Sequence, residues 1–226
     1  MRGATLLVVL ALGLAAGCGG GDDDEPAAEA ATTSVAATTT AAAGACATVE
    51  PPAPREDGGA TAPDGPLETG TTYRLVVETN CGPFTITLDQ SSAPETTASL
   101  VALARDGFFD GTSFHRVVPG FVIQGGDPTG TGTGGPGYQT VDPPPQDTAY
   151  TRGVVAMAKT GAEAPGTSGS QFFVVTGPDA GLPPDYAVVG TVTAGLDTVL
   201  AIDGLGVGDG PPSMPVVVEK VTVEES

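Results

Sequence analysis

Two stretches hold residue types that could do chemistry together. The first is Phe114-His115-Arg116-Val117-Val118-Pro119-Gly120-Phe121-Val122-Ile123-Gln124-Gly125-Gly126-Asp127, and the second is Gly169-Ser170-Gln171-Phe172-Phe173-Val174. Each sets polar donors among large apolar side chains. Arg116 is a permanent cation with several N–H donors in a rigid planar fork. Fixed beside an apolar slot, such a fork favours any state in which negative charge or a lone pair develops nearby. Gln124 lies two residues after Val122 on one strand, shares its side, and can orient the arginine or contact a bound chain. His115 has odd parity to Arg116 and is expected to face the other way as a packed structural side chain. With a single histidine, a multi-histidine zinc site is excluded and a Ser-His-Asp triad has one candidate base. Cys18, Cys46 and Cys81 are too few and too scattered for structural zinc. The chemistry expected is therefore arginine-centred, with no metal and no cofactor.

Gly132-Thr133-Gly134-Gly135-Pro136-Gly137 satisfies a G-x-G-x-x-G pattern. No helix pattern follows it, so a dinucleotide site is not expected; a flexible loop on the rim of a groove is.

These residues need elements to position them. Tyr73 to Thr79 and Phe84 to Leu88, joined by a turn at Asn80-Cys81-Gly82-Pro83, read as a hairpin of alternating strands. Ser92-Ala93-Pro94-Glu95 reads as a helix start with Ser92 as the cap; Leu100, Leu103 and Ala104 form its apolar stripe and Gly107 ends it. Further strands are expected over Gly120–Gln124, Val154–Ala158, Gln171–Thr176, Ala187–Val192 and Val216–Val223, with a second helix over Leu196–Ile202. Seven or eight strands with two helices predict a mainly β fold: a closed antiparallel barrel of about eight strands capped by the helices.

Composition sets the surroundings. The 226 residues carry 27 acids against 8 Lys plus Arg, a net charge of −19, which argues against nucleic acid and anionic membrane surfaces as partners. Residues 1–18 read as an export signal: Arg2, then an apolar run from Thr5 to Ala16, too short to span a bilayer. Leu14-Ala15-Ala16-Gly17-Cys18 resembles a bacterial lipobox, with Cys18 as the lipidated residue, although Ala15 stands where Leu is usual. Residues 19–71, rich in Ala, Thr, Pro and acids, are expected to be a disordered tether. The folded domain is expected over 72–226. Contact with the membrane is expected only through the lipid anchor, on the outer face of the cell membrane. An exported compartment permits disulfides, and a Cys46–Cys81 bridge would pin part of the tether to the first hairpin.

The 114–127 and 169–174 blocks, with Gly132–Gly135, Val155-Ala156-Met157-Ala158 and Tyr186-Ala187-Val188-Val189-Gly190 in the same order, make the domain resemble a cyclophilin, a peptidyl-prolyl cis/trans isomerase. The resemblance spans about Thr72 to Glu224. It implies a cyclophilin-like fold and proline-containing polypeptides as partners; a monomer is expected. It places Arg116 as the catalytic arginine with Gln124 beside it. Phe121, Val122, Phe173 and Leu182 would line a proline pocket. Gln171 and the main chain around Ala158 and Lys159 would hold the substrate backbone, with Tyr186 at the pocket edge. Several positions depart from the better-known members. Gly181 stands where they carry a Trp associated with cyclosporin binding, Tyr186 where they carry His, Lys159 where they carry Asn, and Val122 where Met is common. A module that binds Pro-containing segments without catalysis is the competing expectation.

Overall fold

A computed structural model describes residues 46–226; the export signal, Cys18 and the first part of the tether lie outside them. Period-two alternation builds the first hairpin. β1 (Tyr73–Thr79) buries Tyr73, Leu75 and Val77, while β2 (Gly82–Leu88) buries Phe84, Ile86 and Leu88. Leu75 pairs with Ile86 and Val77 with Phe84, so both apolar sets fall on one face.

The remaining strands are β3 (Arg116–Val118), β4 (Val122–Gly125), β5 (Thr140–Val141), β6 (Val154–Met157), β7 (Thr167–Ser168), β8 (Phe172–Val175), β9 (Val188–Ala194) and β10 (Val218–Glu225). Eight of them form one sheet in the order β10-β1-β2-β9-β6-β8-β4-β3; β5 and β7 make a separate ribbon. The sheet curls around a core that includes Leu75, Phe84, Phe114, Ile123, Val155 and Val174. A void among Leu75, Phe109 and Phe172 in this core holds only about 10 Å³, so the side chains there are packed together.

The expected closed barrel is not found: the sheet is an open half-barrel. β3 and β10 are its edges, and among the described residues only isolated bridges, Ser113 to Val217 and Val117 to Gly210, span the gap. Chemistry explains the opening. The chain that crosses there carries Pro211, Pro212 and Pro215, which have no N–H to offer a ladder.

Two helices, α1 (Pro94–Arg105) and α2 (Leu196–Asp203), cover the ends; α1 packs on β1 and β10, α2 on β2, β3 and β4. Pro94 occupies the first turn of α1 as expected, but Ser92 is not the cap. Its hydroxyl donates to Asp89 at 2.6 Å. The helix start is capped from 46 residues away: Asp142 Oδ2 accepts the Thr96 N–H and the Thr96 hydroxyl, each at 2.7 Å.

Residues 46–71 are an arm laid on the domain, where composition predicts a loose tether. Cys46 and Cys81 form a disulfide. The Ala47 N–H donates to the Asn80 carbonyl at 2.7 Å, and the Asn80 side chain returns a bond to the Ala47 carbonyl at 2.7 Å. Farther along, the N–H groups of Arg55, Gly58 and Ala60 donate to the carbonyls of Pro128, Gly135 and Pro136 at 2.9, 3.0 and 3.0 Å. Composition misses this, because the arm is held by backbone bonds, the disulfide and the polar side chains of Arg55 and Asp57, with Ala60 and Leu67 only partly buried, rather than by a periodic burial pattern.

Candidate active site

Sheet register assembles the site. Gln124 pairs with Arg116 on one side and with Phe173 on the other, and Phe173 pairs with Ala156. Directly paired residues share a face, so Arg116, Gln124, Phe173 and Ala156 form a row across β3, β4, β8 and β6. The alternate row, Val117, Ile123, Val174 and Val155, is buried in the main core. The first row therefore faces outward. Alternation would make that face polar, yet Val122, Ala156, Phe173 and Val175 are buried there, with Tyr150, in a second apolar cluster.

Partly buried Phe121, Ala158, Leu182 and Tyr186 border this cluster. The expected pocket residues thus converge. Tyr150, which the sequence reading did not single out, is part of the same cluster. Its hydroxyl donates to the Tyr186 carbonyl at 2.7 Å and accepts the Tyr186 N–H at 3.0 Å, which fixes the 180–186 loop over the cluster. The Tyr186 ring meets Phe173 edge-on at 5.6 Å and Tyr150 at 6.0 Å.

A tight turn delivers the arginine. Val118-Pro119-Gly120-Phe121 closes with the Phe121 N–H donating to the Val118 carbonyl at 3.0 Å. Pro119 suits the second position of such a turn, and the third needs the positive φ of 69° that Gly120 adopts. A strand expected from Gly120 becomes a hairpin, and Arg116, eight residues before Gln124, comes to lie opposite it.

Hydrogen bonds then fix the arginine. Asp209 accepts from Nε at 2.5 Å and from Nη2 at 3.1 Å, and Gln124 Oε1 accepts from Nη1 at 3.2 Å. These use three of the five N–H donors of a guanidinium and leave one on each terminal nitrogen. Gln124 donates to Gln171 Oε1 at 3.0 Å, and Gln171 donates to the Gly134 carbonyl at 2.9 Å. Gln171 therefore joins Gln124 to the rim. The Ala158 N–H is likewise taken, by the Gln171 carbonyl at 2.9 Å. Lys159 turns its ammonium inward, to Asp185 at 3.5 Å and over the Tyr186 ring at 5.4 Å.

The glycine-rich segment is on the rim, as expected, and it is laced down. Asp127 accepts the N–H groups of Thr129, Gly132 and Gly134 at 2.7, 2.5 and 3.2 Å. Burial pushes the Asp127 carboxyl up, but the hydrogen bonds from Thr129, Gly134 and Gly132 outweigh it and hold the group below its ordinary value. A Cβ on Gly134 would stand 2.3 Å from that carboxylate, so glycine is required there. A groove of about 610 Å³ runs along this rim beside Gln124, Ala158, Lys159 and Gln171.

His115 points away from the row, as its parity predicts. Both ring nitrogens are buried without a hydrogen-bond partner. Burial lowers its pKa, against the pull of Asp127 and the Ser113 carbonyl, and Arg116 lowers it further. The sequence reading missed Asp209: it lies 93 residues from Arg116, in a Gly/Pro-rich run with no strand or helix pattern.

The sequence profile described as "Cyclophilin type peptidyl-prolyl cis-trans isomerase/CLD" matches residues 74–223. Peptidyl-prolyl cis-trans isomerase A of Mycobacterium tuberculosis is 37% identical over 179 residues, covering 71% of this chain and 95% of that protein. Peptidyl-prolyl cis-trans isomerase-like 2 of Cryptococcus neoformans is 39% identical over 155 residues; the match covers 65% of this chain but spans only 26% of that longer relative. The crystal structure of a Cryptosporidium parvum cyclophilin type peptidyl-prolyl cis-trans isomerase, in the presence of the dipeptide ala-pro, superposes with a TM-score of 0.62 at 29% identity, covering 68% of this chain and 99% of that one.

Proposed function

The chain belongs to the cyclophilin-type peptidyl-prolyl cis-trans isomerase family, and from that premise we propose that Arg116 catalyses rotation about X-Pro bonds in exported polypeptides. Rotation is slow because partial double-bond character in the peptide C–N bond raises a barrier of about 18–20 kcal/mol. No covalent bond breaks. The catalyst must hold the twisted amide more tightly than either planar form.

In the twisted state the proline nitrogen becomes pyramidal and regains a lone pair, and the preceding carbonyl swings. The observation that carries the proposal is the pair of uncommitted Arg116 N–H groups beside the outward apolar cluster. Phe121, Val122, Phe173 and Leu182 seat the proline ring, with Tyr186 as the pocket wall. The arginine fork then donates to the twisted nitrogen or to the moving oxygen. Gln124 and Asp209 hold the fork still, so little reorganisation is needed at the moment of rotation. The ala-pro dipeptide crystallised with the Cryptosporidium relative supports a site for proline-containing chains.

Location belongs to the same proposal. Residues 1–18 direct export, Cys18 is lipidated, and the domain works as a monomer on the outer face of the cell membrane; the Cys46–Cys81 disulfide, suited to an oxidising compartment, supports this. A Cys18→Ala chain recovered from the soluble fraction, with the unaltered chain in the membrane fraction, is the expected result; equal partition of the two would overturn the anchor. For catalysis, the isolated domain should accelerate a proline-limited refolding reaction. Binding of Pro-containing peptides with no acceleration would replace the enzyme by a holding module.

A further inference from the structure

The arm contributes to the groove as well as to the fold. Asp57 lines the 610 Å³ groove together with Gln124, Ala158, Lys159 and Gln171. Ala158 also packs against the apolar cluster, so the groove adjoins it. The arm is fixed on both sides of Asp57. Upstream, Arg55 bonds the Pro128 carbonyl through its N–H, while its guanidinium donates to the Phe108 carbonyl and lies 5.7 Å from the Phe108 ring centre. Downstream, Gly58 and Ala60 bond the rim carbonyls of Gly135 and Pro136. Asp57 Oδ1 itself accepts the Gly135 N–H at 2.7 Å. At the far end the disulfide to Cys81 anchors the arm to the first hairpin.

The charges beside the groove are unbalanced. Its lining has two carboxylates, Asp57 and Glu163, and one ammonium, Lys159. Lys159 is already paired with Asp185. Glu163 is occupied locally: its carboxylate accepts from the Thr160 N–H, the Thr160 hydroxyl and Gln139, and these bonds help hold its pKa below the ordinary value. None of the three ion pairs among the described residues involves Asp57, and the residue is exposed.

We propose that the disulfide-anchored arm is one wall of the substrate groove, and that Asp57 makes the groove prefer polypeptides with a Lys or Arg side chain flanking the X-Pro bond. This rests on the prolyl-isomerase reading of the same site. An exposed charge pair changes affinity by up to about five-fold, and attraction of a cation adds to repulsion of an anion, so Lys over Glu discrimination of about five- to ten-fold is expected. It weakens as salt screens the pair.

The experiment uses fluorescently labelled X-Pro peptides with Lys, Ala or Glu at each flanking position in turn, on both sides of the proline. Dissociation constants come from fluorescence anisotropy and isomerisation rates from the same peptides. At one position Lys should bind about five- to ten-fold better than Glu, the ratio should fall to about one in Asp57→Asn, and Asp57→Lys should reverse it. Equal binding of Lys and Glu peptides at every position, or a preference that survives both substitutions, overturns the proposal. Binding reads the arm independently of the rates: discrimination without isomerisation keeps the wall and removes the enzyme, whereas isomerisation without discrimination does the opposite.

Discussion

Arg116 spends one edge of its guanidinium on Asp209 and one donor on Gln124, which leaves it aimed but not neutralised. Asp209 is a positioning residue that touches no substrate in this scheme. Asp209→Asn should lower kcat about two- to five-fold, the scale of an exposed ion pair, with KM and the melting temperature unchanged; a rise in KM at constant kcat would assign Asp209 to binding instead. His115 has a different role, in pH stability. Its folded pKa lies below the ordinary 6.5, so just below that pH the unfolded chain binds more protons than the folded one, and stability falls as pH drops from about 6.5 toward the folded value. Asp89, Asp127 and Glu163 are also lowered, from 3.8, 3.8 and 4.5. Their contribution has the same sign at lower pH: present above those ordinary values and lost as pH falls through the folded ones. Denaturation measured at pH 7.5 and pH 5 should show a drop in the unaltered chain and little drop in His115→Phe; an equal drop in both would clear His115.

At the scale of elements, local sequence signals hold where the partner is near in the chain and fail where it is distant. β1 runs over Tyr73–Thr79 as its alternation predicts, and α2 differs from its expected span by one residue. Those patterns report burial, which each residue carries in its own type. The cap of α1 is misread because Ser92 has the right chemistry in the right place, while the carboxylate that binds the helix start comes from Asp142. Asp142→Ala should cost about 1–2 kcal/mol of stability, the usual loss for a cap, measured as a shift in the urea midpoint; no shift would return the cap to a local residue. Two-residue strands such as β5 and β7 leave no period to detect. The blocks around Arg116 and Phe173 were legible because nearly all their functional residues are contiguous. Asp209, Tyr150 and Asp57 were not, because each reaches the site through tertiary structure alone.

Residues 46–226 form an open half-barrel with an apolar patch on its outer face and a strap across part of its rim. Closure fails where three prolines cross the gap, and the chain there supplies Asp209 instead of a ladder. The disulfide joins residues 35 apart in sequence, so in the chain-entropy view its loss costs about 3–4 kcal/mol. Cys46→Ser with Cys81→Ser should therefore lower the unfolding midpoint markedly; an unchanged midpoint would mean that the arm's backbone bonds suffice. The scaffold's main chemical task is to present one arginine, and the proline-limited refolding assay with Arg116→Ala tests that role most directly. Loss of about 10²–10³-fold in kcat/KM is predicted, the usual effect of removing a preorganised donor, with the melting temperature nearly unchanged because the side chain is 32% exposed. Full activity in that variant would contradict it.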